Sequence, residues 1–186
     1  MNSNIKFLAL LCMATLIFSA CDDDDPIIVD PPELITTLTY TLTPAGGGST
    51  VVLSFQDLDG DGGASPVVSN GTLTANTTYN GSLSLLNESV TPTEVITDEI
   101  EEEADEHQFF FQSNISGLSV GYDDEDENGL PVGLENTLST GASGSGNMTV
   151  TLRHEPDKDA AGVSGGDIDN AGGETDIEVT FAIDVQ

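Results

Sequence analysis

Residues 175–185, TDIEVTFAIDV, alternate polar and apolar side chains from one end to the other. A repeat of two residues is typical of a β-strand with one buried face. The apolar face would carry Ile177, Val179, Phe181, Ile183 and Val185, and the other face Asp176, Glu178, Thr180, Ala182 and Asp184. The stretch therefore predicts a half-buried strand whose acidic side chains point to solvent.

Similar stretches recur along the chain and decide the fold class. Residues 34–43 and 51–55 alternate in the same way on either side of Gly46–Gly48. The other candidate strands are residues 71–76, 79–86, 108–113, 117–122 and 147–154. Seven or eight strands separated by Gly, Asn, Asp and Ser turns predict an all-β fold, an antiparallel, immunoglobulin-like β-sandwich. A β-barrel is the alternative.

One segment departs from the alternation. Ile96, Ile100 and Ala104 recur every four residues, a spacing that places them on one face of a helix. Most of the positions between them are acidic. Residues 94–105 therefore predict one short helix with an acidic outer face.

The charge balance excludes one class of partner. The chain has 186 residues, of which 33 are Asp or Glu and 3 are Lys or Arg, for a formal net charge of −30. Nucleic-acid binding depends on a basic face that releases counterions. Beyond Lys6 the cationic residues are Arg153 and Lys158, so no such face can form and nucleic acid is excluded.

The N-terminus has the features of a lipoprotein signal peptide. Lys6 precedes an apolar run that ends at Ala20 and is too short for a spanning helix. The four residues ending at Cys21, FSAC, resemble the lipobox of bacterial lipoproteins, in which the cysteine is lipidated. We predict a signal peptide over residues 1–20 and a membrane anchor at Cys21. A plain secretory signal cut near Ala20 is the alternative.

Residues 21–33 follow as the lipidated cysteine and an acidic, proline-containing tether. Asp22–Asp25 resembles the acidic export signal that follows the lipidated cysteine in Bacteroidota lipoproteins. That resemblance implies an outer-membrane location facing the cell surface, and the periplasmic face is the alternative. Residues 34–186 are then predicted to form a single β-sandwich domain.

Several stretches together resemble a family of short flavobacterial surface lipoproteins, often labelled type 1 periplasmic binding fold superfamily proteins. These stretches are ELITTLTYTLTPAGGG (33–48), VVLSFQDLDGDGG (51–63), DEHQFFF (105–111), LRHEPDKD (152–159) and GGETDIEVTF (172–181). The label implies a two-lobed α/β fold, but the alternating side chains predict a β fold. We therefore keep the resemblance to the family and do not expect the α/β fold. The resemblance to Bacteroidota surface lipoproteins implies a nutrient receptor of the outer membrane as a partner.

An acidic loop predicts a calcium site. Residues 124–135, DEDENGLPVGLE, fit the calcium-loop pattern D-x-[DN]-x-[DN]-G-x₅-E. The candidate ligands are Asp124, Asp126, Asn128 and Glu135, with Gly129 at the turn. Calcium takes six to eight oxygen ligands, which alternate carboxylates on a tight turn supply. The flanking residues are strand-like before the loop and rich in Ser and Gly after it, so we expect a β-domain loop and not an EF-hand. A solvated acidic turn is the alternative.

Two weaker copies of the pattern occur elsewhere. Asp57, Asp59 and Asp61 match its first half, but Val68 stands where a glutamate is needed. Asp167, Asp169 and Glu178 keep the spacing, with Ala171 in place of a ligand.

The two histidines offer a second kind of metal site. His107 shares strand parity with Phe109 and Phe111, and His154 shares it with Val150 and Leu152. Each histidine thus ends a core-facing stripe, with the carboxylates of Glu103 and Glu106 or of Glu155 and Asp157 nearby. Imidazole together with carboxylate suits zinc or iron. Capping or solvated histidines are the alternative.

The sequence predicts a binding protein and not an enzyme. It contains no G-x-S-x-G, H-E-x-x-H or P-loop motif, and its one cysteine beyond the signal peptide is assigned to lipid. The first functional hypothesis is a lipid-anchored surface accessory lipoprotein with calcium-ordered acidic loops. The second is a zinc or iron capture protein that uses His107 and His154.

Overall fold

The computed structural model describes residues 33–60 and 63–186. The predicted signal peptide, the lipidation site at Cys21 and the tether up to residue 32 lie outside the described residues, as does Asp61. Within the described ranges, no helix has the length and apolar character needed to cross a membrane.

The described residues form ten strands, one α-helix and three 3₁₀ turns. The strands are β1 Thr37–Pro44, β2 Val51–Gln56, β3 Val67–Ser69, β4 Gly71–Leu73, β5 Thr78–Leu86, β6 His107–Ser113, β7 Ser119–Tyr122, β8 Glu135–Ser139, β9 Gly144–His154 and β10 Glu174–Val185. The helix α1 spans Ile96–Glu102, and the 3₁₀ turns span Ala104–Glu106, Val163–Gly165 and Ile168–Asn170.

The strands form two sheets that pack as a sandwich. One sheet has the order β3-β2-β1-β5-β8-β7 and the other β4-β10-β9-β6. All neighbours are antiparallel except β4 and β10, which are parallel. The predicted antiparallel β-sandwich is confirmed. The alternative of a closed barrel is wrong, because the two sheets are separate and each ends in edge strands within the described residues.

Both sheets contribute to one hydrophobic core, and the alternation seen in the sequence shows which faces they bury. The stripe on β10 is confirmed, since Ile177, Val179, Phe181, Ile183 and Val185 are all buried. Leu38, Tyr40 and Leu42 of β1 face them from the six-stranded sheet in the same cluster. Burying a large apolar side chain contributes about 1.5–3 kcal/mol, so this shared layer is the main source of stability.

The structure has two strands that the sequence did not predict, β3 and β8. In β8 the buried positions include Asn136, a polar residue that obscures the alternation. Its side-chain oxygen accepts a hydrogen bond from the Tyr40 hydroxyl and its amide donates to the carbonyl oxygen of Gly133, which satisfies it in the core. The first strand also begins later than predicted, because Leu34 is exposed and the pairing starts at Thr37.

The predicted acidic helix is confirmed in a shorter form. Helix α1 buries Ile96 and Ile100 and leaves most of its carboxylates in solvent. A 3₁₀ turn over Ala104–Glu106 follows it and leads directly into β6 at His107. The helix and turn therefore fix the point at which β6 begins.

The outer face of β6 is also covered. Phe109 lies in the main core, whereas Phe110 is buried in a small second cluster with Val163 and Ala171. Both partners of Phe110 come from the connection between β9 and β10. This connection therefore packs over β6 and carries Lys158 into the interior, where it is 5% exposed.

Candidate metal centre

The two histidines meet at one end of the four-stranded sheet. His107 is the first residue of β6 and His154 the last of β9, and the antiparallel register places them opposite each other. Their ring centroids are 4.8 Å apart, edge to face. His107 has no exposed surface, and His154 is 8% exposed.

A β-bulge brings Asp176 to the same place. Glu174 and Thr175 pair with His154 and Arg153, but the next paired residue of β10 is Ile177, which leaves Asp176 as the extra residue. A bulge of this kind turns the strand locally and redirects a side chain. Asp176 therefore points inward and its side chain has no exposed surface. The prediction from the alternation, that Asp176 lies on the solvent face of the strand, is wrong.

The fourth member, Glu33, comes from the segment that precedes β1, a strand of the opposite sheet. Its Oε1 lies 3.1 Å from Nε2 of His107 and its Oε2 lies 3.7 Å from Nδ1 of His154. Asp176 Oδ2 is 3.9 Å from the same Nε2 of His107. We call Glu33, His107, His154 and Asp176 the inner cluster.

The inner cluster is unusual because five of its polar atoms are buried and lack hydrogen bonds. The atoms without a hydrogen-bond partner include Glu33 Oε2, His107 Nε2, His154 Nδ1 and both carboxylate oxygens of Asp176. The short approach of Glu33 to His107 thus lacks hydrogen-bond alignment, and it becomes an ion pair when His107 is protonated. Leaving one such group unsatisfied in the interior costs about 1–3 kcal/mol. Buried polar atoms that converge without partners are expected where an ion binds.

The spacing of these atoms suits a small cation. One ligand atom from each of the four residues lies within 4.8 Å of the others. A tetrahedral ion with bonds of about 2.0–2.1 Å separates its ligand atoms by about 3.4 Å. The separations of 3.1 Å (Glu33 Oε1 to His107 Nε2), 3.7 Å (Glu33 Oε2 to His154 Nδ1) and 3.9 Å (Asp176 Oδ2 to His107 Nε2) bracket that value. Two imidazoles with two carboxylates suit zinc or iron(II) better than calcium, which prefers oxygen ligands alone.

The orientation of His107 leaves the right nitrogen free to bind an ion. Its Nδ1 lies 3.0 Å from the carbonyl oxygen of Glu103, to which a protonated Nδ1 donates. The lone pair then resides on Nε2, which faces Glu33 and Asp176. Metal-binding histidines commonly have their second nitrogen fixed in this way.

The two carboxylates of the inner cluster crowd negative charge into a buried volume. Burial and the charge of Glu33 raise the pKa of Asp176 to about 6. Burial lowers the pKa of His107, but contact with Glu33 and the Glu103 carbonyl outweighs it and the net pKa is raised. For Glu33, burial raises the pKa of the carboxyl group. Its contact with His107 lowers that pKa by more, so the net pKa is lowered. With neutral imidazoles the two carboxylates carry two negative charges, which one divalent ion would balance.

We expect the metal-free protein to lose stability as the pH rises from about 4 to 8. Asp176 keeps its proton up to a pKa of about 6 when folded, against 3.8 when unfolded, so folding favours the protonated form and stability falls through that window. The raised pKa of His107 extends the decline above 6.5. Urea unfolding in EDTA at about pH 4, 6 and 8 measures this. Asp176→Asn should flatten the lower part of the decline, and stability that rises between pH 4 and 6 would contradict it.

The predicted calcium loop makes different contacts. Asp124 accepts hydrogen bonds from the backbone amides of Gly133 and Glu135, at 2.6 and 2.9 Å. Asp126 accepts from the amides of Asn128 and Leu130 and from Nζ of Lys158, at 2.9 Å. No group of three His, Cys, Asp or Glu side chains converges in this loop within the described residues. The carboxylates of Asp124 and Asp126 thus accept hydrogen bonds from the backbone of the loop and from Lys158. Calcium binding by this loop stays a prediction.

Among the described residues of the two weaker loops, no group of three His, Cys, Asp or Glu side chains converges. Asp57 and Asp59 accept from the amides of Gly60 and Ala64, and Asp61 lies outside the described residues. Asp167 caps a 3₁₀ turn by accepting from the amide of Asp169. Glu178 lies on the exposed face of β10 and accepts from Thr151.

Glu33 and Asp176 are the members of the inner cluster that the sequence did not predict. Glu33 ends a segment whose composition is typical of a tether, and Asp176 sits within a regular alternation. The one local signal is Gly173, before the bulge. It has a φ of +66°, and a Cβ there would collide with the carbonyl oxygen of His154. Glycine thus lets the start of β10 pass close to the end of β9.

The resemblance to flavobacterial surface lipoproteins depends on the sequence stretches alone and stays a prediction. The two-lobed α/β fold that the family label implies is not the observed one, since both sheets belong to a β-sandwich. No protein-family model, no curated protein and no solved structure matches this chain.

Proposed function

We propose that this protein binds a divalent transition-metal ion, zinc in the first place, through Glu33, His107, His154 and Asp176. The observation that carries the proposal is the convergence of four side chains. One ligand atom from each lies within 4.8 Å of the others, and five of their polar atoms are buried without hydrogen bonds. Both charge and ligand type support a cation that accepts nitrogen as well as oxygen.

The ligand set supports a holding role and not catalysis. Four protein ligands complete the coordination of zinc in sites that bind the ion without reacting, whereas catalytic sites keep one position for water or substrate. In the metal-bound protein, Nε2 of His107 and Nδ1 of His154 would each donate a lone pair. The carboxylates of Glu33 and Asp176 would supply the two negative charges that neutralise the ion.

We further propose that this binding occurs at the membrane surface. The sequence before the domain supports a lipid anchor at Cys21, twelve residues before Glu33. A tether of that length reaches at most about 40 Å, so the site would lie close to the bilayer. The formal net charge of −30 would raise the local concentration of cations around the protein.

Thermal unfolding of the purified protein tests the proposal. Zinc at about a hundred times its Kd should add about 2.7 kcal/mol over the protein in EDTA, which raises Tm by roughly 5–11 °C for a domain of this size. Any shift in millimolar calcium should be the same in His107→Ala, because a calcium site in residues 124–135 would not use this side chain. His107→Ala should lose the zinc shift, and Asp105→Asn, which removes an exposed carboxylate nearby, should keep it.

Two results would overturn the proposal. One is a wild-type protein whose Tm is the same in zinc and in EDTA. The other is a zinc shift that His107→Ala retains in full, which would place the ion elsewhere. X-ray absorption of the zinc-loaded protein gives an independent readout, with two imidazole nitrogens and two carboxylate oxygens expected as ligands.

A further inference from the structure

Two side chains of the inner cluster have exposed surface. Those of Glu33 and His154 are each 10% exposed, while those of His107 and Asp176 are fully buried. One route by which an ion could enter therefore passes His154. His154 presents Nδ1 to the inner cluster and Nε2 to the outside, where Glu106 Oε2 lies 3.9 Å away.

A second group of ligands surrounds that outer nitrogen. His154 Nε2 and the carboxylates of Glu106 and Glu155 offer ligand atoms that all lie within 4.8 Å of one another. We call these three residues the outer group. Both glutamates are exposed, and the side chain of Glu106 is 47% exposed. The outer group therefore joins solvent to the buried site through one shared imidazole.

The backbone explains why two carboxylates lie there. Glu106 and Glu155 are the chain neighbours of the paired residues His107 and His154, one just before β6 and one just after β9. The amide of Glu155 donates to the carbonyl oxygen of Glu106 at 2.7 Å, which continues the pairing by one step. Glu155 has a φ of +49°, a conformation that residues other than glycine rarely adopt.

We propose that Glu106, His154 and Glu155 form an acquisition site, where an incoming divalent ion is held before it passes into the inner cluster. This inference rests on the proposed function. A hydrated ion that enters a buried site must exchange its water for protein ligands. The outer group would replace part of that water first, and the inner cluster would replace the rest. The ion would bind Nε2 of His154 in the first stage and Nδ1 in the second, with the ring proton on the other nitrogen each time. Transfer would therefore release one proton from Nδ1, beside Glu33 Oε2, and take one up at Nε2, with no net change in protons.

The kinetics of zinc uptake test this route in the full protein. The test variant is Glu106→Gln with Glu155→Gln, and zinc chloride is the probe, with a colorimetric chelator reporting free zinc. The control, Glu101→Gln with Glu102→Gln, removes the same charge from exposed positions on α1. We expect the test variant to take up and release zinc at least about tenfold more slowly than the control, with an equilibrium Kd within about twofold of it. An intermediate binding site changes the rates of uptake and release together. It does not change the free energies of the metal-free and metal-bound protein, so Kd stays the same.

Other outcomes overturn the acquisition site without touching the inner one. Rates equal to those of the control would show that the outer group is not on the path. A weaker Kd with an unchanged uptake rate would show that Glu106 only orients His154. Unfolding in EDTA checks that the variant is folded, and Glu155→Gln alone carries the test if the double variant is not. Failure of the wild-type protein to bind zinc would refute the proposed function instead.

Discussion

Asp176→Asn should abolish most zinc binding and, without metal, make the protein more stable. Asparagine keeps the shape of the side chain but removes the charge that burial and Glu33 oppose. The pKa of about 6 against 3.8 corresponds to about 3 kcal/mol, and allowing for solvent screening we expect a gain of about 2 kcal/mol at neutral pH. Loss of a group that is hydrogen-bonded to a metal ligand weakens metal affinity by up to about 100-fold. Loss of the ligand itself should weaken zinc affinity by more than that.

Zinc titration and urea unfolding in EDTA measure the two effects on one sample. Asp184→Asn is the matched control, since it makes the same change on the exposed face of the same strand. The control should bind zinc like the wild-type protein. A variant at position 176 that keeps full zinc affinity, or that loses stability without metal, would contradict the assigned role of this carboxylate.

Lys158→Met should destabilise the protein more than any change at the surface. The ammonium group of Lys158 lies 2.9 Å from Asp126 Oδ2 and 2.6 Å from the carbonyl oxygen of Ala104. The side chains of the pair are 4% and 1% exposed. Removing one member of a buried ion pair leaves the other charge without an opposite charge beside it, at a cost of about 3–5 kcal/mol. Tm should fall by roughly 6–20 °C.

A second variant separates the charge effect from packing. In Asp126→Asn with Lys158→Met neither charge remains, so much of the lost stability should return. Burial raises the pKa of Asp126, but the contact with Lys158 outweighs it, so the net pKa is lowered. The stability that this carboxylate contributes is therefore lost as the pH falls below about 3.8. A loss of less than about 1 kcal/mol in Lys158→Met would show that the pair is not a stabilising contact.

The alternation of side chains predicted the fold because it reports burial directly. β1 and β10 bury the faces that the pattern indicates, and helix α1 buries Ile96 and Ile100. β8 escaped prediction because Asn136 occupies a core position and is satisfied by Tyr40, a partner 96 residues away. A polar residue with a distant partner is indistinguishable from a loop residue when the sequence is examined locally.

The candidate site was predictable only in part, for a similar reason. Strand parity placed both histidines at the ends of core-facing stripes, but pairing between β6 and β9 is what brings their rings together. Asp176 was assigned to the wrong face because parity shifts by one residue across a bulge, and the bulge depends on pairing with β9. Glu33 belongs to a segment of tether-like composition, and its position depends on contacts with residues of the opposite sheet.

Glu33 leads into β1, whereas the other three ligands of the inner cluster lie on β6, β9 and β10 of the opposite sheet. An ion held by all four would fasten the two layers together at the point where the chain enters the domain. Tension along the N-terminal segment would then act on the metal–ligand bonds before it reached the hydrogen bonds of β1. The metal-bound protein would then resist mechanical unfolding more than the metal-free protein, in which the pull acts first on the hydrogen bonds of β1 with β2 and β5.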